Sequence, residues 1–209
     1  ASTRVFVTNG FTDAIDVFDL SDPTAPTLLG SITFDAITDE GGPFTSNSVA
    51  VSNGVLAVAL EGDTVNDDGI VAFYAADLTL DPLDAPLATA RAGNLPDMVT
   101  FTPDGSKVLV ANEGEAEESG ETAAPSVNPE GSVTIITVSG GAEAFSVDNV
   151  TQVDFSVFEP GGELALGETL DDIKQRVSAL DAPKVRIHPN ASSVARDLEP
   201  EYIAVTPDG

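Results

Sequence analysis

Carboxylate and amide side chains recur at one kind of place in this sequence, at the ends of short apolar runs. Asp97 stands immediately before "MVTF", and Asn112 and Glu113 stand immediately after "KVLVA". One unit earlier, Asn47 and Glu61 hold the matching positions; one unit later, Glu199 and Glu201 come from "DLEPEY"; Asn9 closes the opening run "RVFVTN". If each pair of runs is an antiparallel hairpin, the residue before its first strand and those after its second emerge on one rim. Acids and amides gathered there repel one another unless a cation joins them or protons are taken up. Hard oxygen ligands suit calcium or magnesium, whereas zinc would find one histidine and no cysteine. The expected metal ligands are Glu61, Asp97, Asn112, Glu113, Glu199 and Glu201, with Ca2+ as the cofactor. The plainer alternative is a set of solvated loop acids in an acidic protein.

Other candidates stand more alone. "GDTVNDDG" (Gly62–Gly69) departs from a calcium-loop pattern because Val65 occupies a ligand position, so it reads as a turn. His188 in "RIHPN" could be a catalytic base or a structural hydrogen-bonding residue. Arg186 and Arg196 could hold a phosphate-like anion through their planar guanidinium groups, or could pair with the surrounding acids. Neither a phosphate-cradling GxxxxGK[ST] loop nor a nucleophile elbow nor an HExxH helix is present.

The bulk composition narrows the partners. Thirty-five acidic residues against 8 basic ones give a formal net charge of -27, which repels nucleic acid and anionic membranes. Part of that excess is also what a general solubility device in a salt-rich habitat would require. With no cysteine, neither a disulfide framework nor a thiolate metal site can form. No apolar run approaches the roughly 18 residues of a membrane span. The start, "ASTRVFV", already has a strand-like pattern, so a secreted form would have lost its signal peptide.

The elements that must position the acids repeat along the chain. "SVAVSNGVLAVALEG" (Ser48–Gly62) aligns with "MVTFTPDGSKVLVANEG" (Met98–Gly114), and "YIAVTPDG" (Tyr202–Gly209) begins a third copy. Each unit reads strand, tight turn, strand, loop, strand and a fourth strand, about 45 to 50 residues, the size of a propeller blade. The fold expected is all-β, a β-propeller of which about three blades are visible. Residues 1–47 form a blade lacking its first strand, 48–97 and 98–158 form two whole blades, and 202–209 form the first strand of the next. Between them, 159–201 is an insertion in which Leu166, Leu170, Ile173, Val177 and Leu180 mark one face of a helix near 164–181. Because the last turn lacks its second strand, the chain is expected to be part of a longer propeller, its remaining blades supplied by the same or another chain.

"VFVTNG" and "VLVANEG" are similar to the YVTN-type propeller repeats of prokaryotic surface proteins. "NLPDMVTFTPDGSKVLVANEGE", "NPEGSVTIITV" and "RIHPNASSVARDLEPEYIAVTPDG" more closely resemble the secreted bacterial family of choice-of-anchor I proteins, some members of which are described as atypical alkaline phosphatases. The resemblance implies a propeller of seven or so blades, a secreted or cell-surface location and a metal-dependent phosphatase activity. Two functions therefore stand side by side. One is a secreted propeller with a calcium-type acidic site that hydrolyses phosphate esters, Arg186, Arg196 and His188 being its candidate catalytic residues. The other is a non-catalytic surface or matrix-binding propeller in which metal only stiffens the loops.

Overall fold

The computed structural model describes residues 3–38, 41–77, 85–116, 128–156 and 193–207. Among them the chain is all-β, eleven strands in three antiparallel sheets and one helical turn, α1 (Val194–Asp197). The first sheet has three strands in the order β1 (Arg4–Asn9), β2 (Ala14–Asp19), β3 (Thr27–Thr33). The second runs β4 (Thr45–Ser52), β5 (Val55–Glu61), β6 (Asp68–Ala75), β7 (Ala88–Asn94). The third runs β8 (Pro96–Phe101), β9 (Lys107–Asn112), β10 (Ser132–Ser139), β11 (Ser146–Asp154). Every strand pairs with its neighbour in sequence, the up-and-down meander of a propeller blade. Among the described residues the first sheet has three strands where the other two have four.

Burial explains why the middle blade reads as nearly continuous apolar sequence. Successive side chains of a strand point to opposite faces, and both faces of this sheet are covered. From β5, Leu56, Val58 and Leu60 join Ile70, Ala72 and Tyr74 of β6 against Ile15, Val17 and Ile32 of the first blade. The alternate residues Val55, Ala57 and Ala59 join Val71, Phe73, Ala90 and Ala92 against Val99, Val108, Val110 and Ile136 of the third blade. Small alanines on this second face let the two sheets approach closely. Phe73 anchors the layer, fully buried, with its ring centroid 4.7 Å from that of Phe145.

The turns are built from their own polar side chains. In "TPDGSK", the Asp104 carboxylate accepts from Thr102 Oγ1 at 2.6 Å, from the Ser106 amide at 3.0 Å and from Ser106 Oγ at 2.8 Å. These donors favour the charged form and lower its pKa to about 2. Residues 202–206, the expected first strand of a next blade, form no ladder with the described residues, and Tyr202 is 79% exposed. The proposed helix near 164–181 lies outside the described residues.

Candidate functional site

All strand ends that carry the predicted acids lie on one rim. The connection from the second blade to the third is a single residue, Leu95, held at a φ of 47° between Asn94 of β7 and Pro96 of β8. This connection also grips the end of β9: the Glu113 amide donates to the Leu95 carbonyl at 2.8 Å and the Gly114 amide to the Asn94 carbonyl at 3.2 Å. Pro96 pairs with Asn112 in the β8–β9 ladder. Asp97 and Glu113 are thereby drawn to the same end of one hairpin.

Gly114 lets a second loop close over this point. Its φ is +64°, and a Cβ there would stand 2.7 Å from the Glu130 carbonyl carbon. That loop, just before β10, is tied to α1 by the Gly131 amide donating to the Ala195 carbonyl at 3.0 Å. The turn of α1 and the residues after it, Glu199 and Glu201 included, are thus carried to the rim beside Glu113.

The electrostatics follow from that convergence. Burial raises the pKa of Glu113 to about 7, reinforced by the charges of Glu115, Asp97, Glu199 and Glu201. Asp97 is raised by its burial and by Glu201. Both are half-buried, while Glu115, Glu199 and Glu201 are exposed. Glu115 was absent from the sequence-derived set; its signal was its place two residues beyond Glu113 in "NEGE". No three acids among the described residues are arranged to hold one metal ion between them. The donor set is all oxygen, suited to a hard cation, yet its members are spread loosely around Glu113.

The other predicted ligands sit elsewhere on the rim. Asn47 donates to Glu61 Oε2 at 3.3 Å and to the Pro96 carbonyl at 3.4 Å, and Glu61 is not among the charges acting on Glu113. Asn9 is occupied within the first blade, donating to Asp16 Oδ2 at 2.8 Å and accepting from the Phe11 amide. Asn112 is fully buried and donates to Ser132 Oγ at 3.0 Å and Thr134 Oγ1 at 2.9 Å. It faces β10 and the blade interior, because consecutive strand residues alternate sides and Glu113 takes the other one. Arg196 donates to the Asn128 carbonyl at 2.6 Å and lies 4.0 Å from Glu130. Arg186 and His188 lie outside the described residues.

Three meandering sheets packed face to face, with acids gathered at one end of their strands, define a β-propeller protein with an acidic rim. Within that class the chain belongs to the choice-of-anchor I family, whose domain matches residues 1–209. Domains of this family are associated with cell-surface or secreted proteins. Among solved structures, the chain is similar to hydrazine synthase of Kuenenia stuttgartiensis at 21% sequence identity and a TM-score of 0.41. That match covers 64% of this chain and 36% of the other, a likeness too loose to inform the site. No curated protein matches the chain closely enough to count as a relative. No helix among the described residues is long and apolar enough to cross a membrane.

Proposed function

We infer that this chain belongs to the propeller of a secreted or cell-surface protein and that its acidic rim is a binding face for hard cations, calcium first among them. The observation that carries this reading is the convergence of Asp97, Glu115, Glu199 and Glu201 on half-buried Glu113, brought together by the Leu95 connection and by the loop that closes over Gly114, with the Glu113 carboxyl raised as a consequence. A cation would relieve that repulsion directly. Because the acids are loosely spread, the ion would keep several waters. Its affinity would fall in the weak range of extracellular calcium modules, about 10⁻⁴ to 10⁻³ M.

We favour binding over catalysis. A metal-dependent phosphate-ester hydrolase needs its ion fixed where it polarises a phosphoryl oxygen and activates water, and the acids among the described residues are spread too loosely to fix one ion between them. The partner expected for this propeller segment is the remainder of the same propeller. Exposed apolar side chains on its outer blades, Val7 and Leu28 of the first and Val150 and Val153 of the third, support that reading. The test is isothermal titration of the full-length protein with calcium chloride, run beside a p-nitrophenyl phosphate assay with and without chelator. Weak saturable calcium binding without turnover is the expected result; turnover abolished by chelator would replace this reading with the hydrolase.

A further inference from the structure

A cavity opens on the rim of the first blade and includes none of the acids around Glu113. It holds about 490 Å³ and lies between the turn from β1 to β2 and the connection from β3 to β4. Its floor comes from the core. Phe34 and Phe44, 7% and 6% exposed, belong to the apolar layer between the first two blades, and Ile37 packs against that layer. Backbone bonds hold the loops around it: the Ile37 amide donates to the Phe34 carbonyl at 2.9 Å, and the Thr12 amide to the Asn9 carbonyl at 3.2 Å. Gly42 completes the wall, where a Cβ would stand 3.0 Å from Cε2 of the Phe44 ring. A cavity whose floor is part of a packed core is already shaped for a ligand.

The polar part of the wall narrows the class. Asp13 and Asp35, both exposed, bring the only charges among the lining residues, and Thr12 and Thr38 add hydroxyl groups. In a chain of net charge -27, a wall of that sign turns away an anionic ligand. A bare metal ion fits no better. The volume lies within the range of small-molecule sites, about 300 to 1,000 Å³, and two carboxylates fall short of the six to eight or so oxygens that calcium takes. No three acids among the described residues are arranged to hold one ion. A neutral apolar molecule would cover the floor but leave both carboxylates without a counter-charge. An organic cation meets both demands: its ammonium head brings three hydrogen-bond donors, and its carbon stem lies on apolar surface.

We propose that this first-blade cavity binds a small organic cation, an ammonium group on a short carbon stem, with the head between Asp13 and Asp35 and the stem on the floor of Phe34, Ile37 and Phe44. The site shares no residue with the acids around Glu113, so it stands whether or not calcium binds there. Its test is NMR titration of the full-length, isotopically labelled protein with n-butylammonium chloride. Butan-1-ol serves as the neutral molecule of the same shape, and calcium chloride at matched ionic strength as the inorganic cation. Butylammonium is expected to bind saturably and to shift the backbone amides of Thr12, Asp13, Asp35 and Ile37, while butanol gives no saturable shift. Asp13→Asn and Asp35→Asn, both at exposed positions, should each weaken binding about threefold and together about tenfold, the scale of ion pairs open to solvent. Absence of saturable butylammonium binding overturns the proposal. So does butanol binding of equal strength, binding that neither variant weakens, or an equal response of the same amides to calcium chloride.

Discussion

Asp97 and Glu113 stand at the same end of the β8–β9 hairpin, within electrostatic reach of each other, because Pro96 pairs with Asn112 and the Glu113 amide is held by the Leu95 carbonyl. Each carboxyl is half-buried, and Glu113 is raised to about 7. The pair is the centre of the acidic rim, and its protonation should be visible in the stability of the protein.

In the window from the ordinary carboxyl pKa of 4.5 up to about 7, the folded protein holds a proton on Glu113 that the unfolded chain has released. Stability therefore falls as pH rises through this window and levels off above it. Glu113→Gln abolishes that part of the slope. After allowance for solvent screening of a half-exposed group, the variant should be more stable than the parent by on the order of 1 kcal/mol at pH 8. The two should be nearly equal at pH 5. Urea denaturation at the two pH values measures this, and equal differences at both would show that Glu113 titrates normally.

Calcium should stabilise the folded protein. At ten times its dissociation constant, a ligand adds about 1.4 kcal/mol, or about 3 to 6 °C in melting temperature for a chain of this length. Sodium chloride at matched ionic strength should give a smaller rise, and Glu113→Gln should reduce the calcium response. A melting temperature that calcium and matched sodium move equally would identify the rim as solvated acids that are merely screened.

Gly114→Ala should destabilise by about 2 to 3 kcal/mol, since alanine is strained in the left-handed region and its Cβ would meet the Glu130 backbone. The same displacement loosens the loop that brings α1 beside Glu113, so the pKa of Glu113 should drop toward its usual value. Carboxyl-detected NMR titration of the variant reads both consequences. An unchanged titration would mean that the 128–131 loop does not position the acids.

Phe73→Ala should cost about 3 to 5 kcal/mol, the range for emptying an aromatic from a packed core. Phe73 is fully buried between the second and third blades and meets Phe145 there. Chemical denaturation followed by circular dichroism measures the loss. A cost below about 1 kcal/mol would mean that the two sheets do not depend on this layer.

Local pattern alone determined the blades. Strand runs of period two, Asn-Gly and Asp-Gly turns and a repeating unit dictate consecutive antiparallel hairpins, and a hairpin brings the residue before its first strand to the residue after its second. Asp97 and Glu113 were legible for that reason, and so was the near-continuous apolar sequence of β5, which serves two faces. What only the tertiary structure decided depends on which side a residue turns and on which distant segment covers it. Asn112 precedes Glu113 by one residue and so turns to the opposite side, where it is buried against Ser132 and Thr134. The elevation of Glu113 arises from burial and from Glu199 and Glu201, far along the chain, delivered by α1 and the 128–131 loop. The first-blade cavity joins Asp13, Asp35 and Phe44 from three separate stretches. No periodicity links such residues; they meet because sheets packed face to face bring the loops of their rims together.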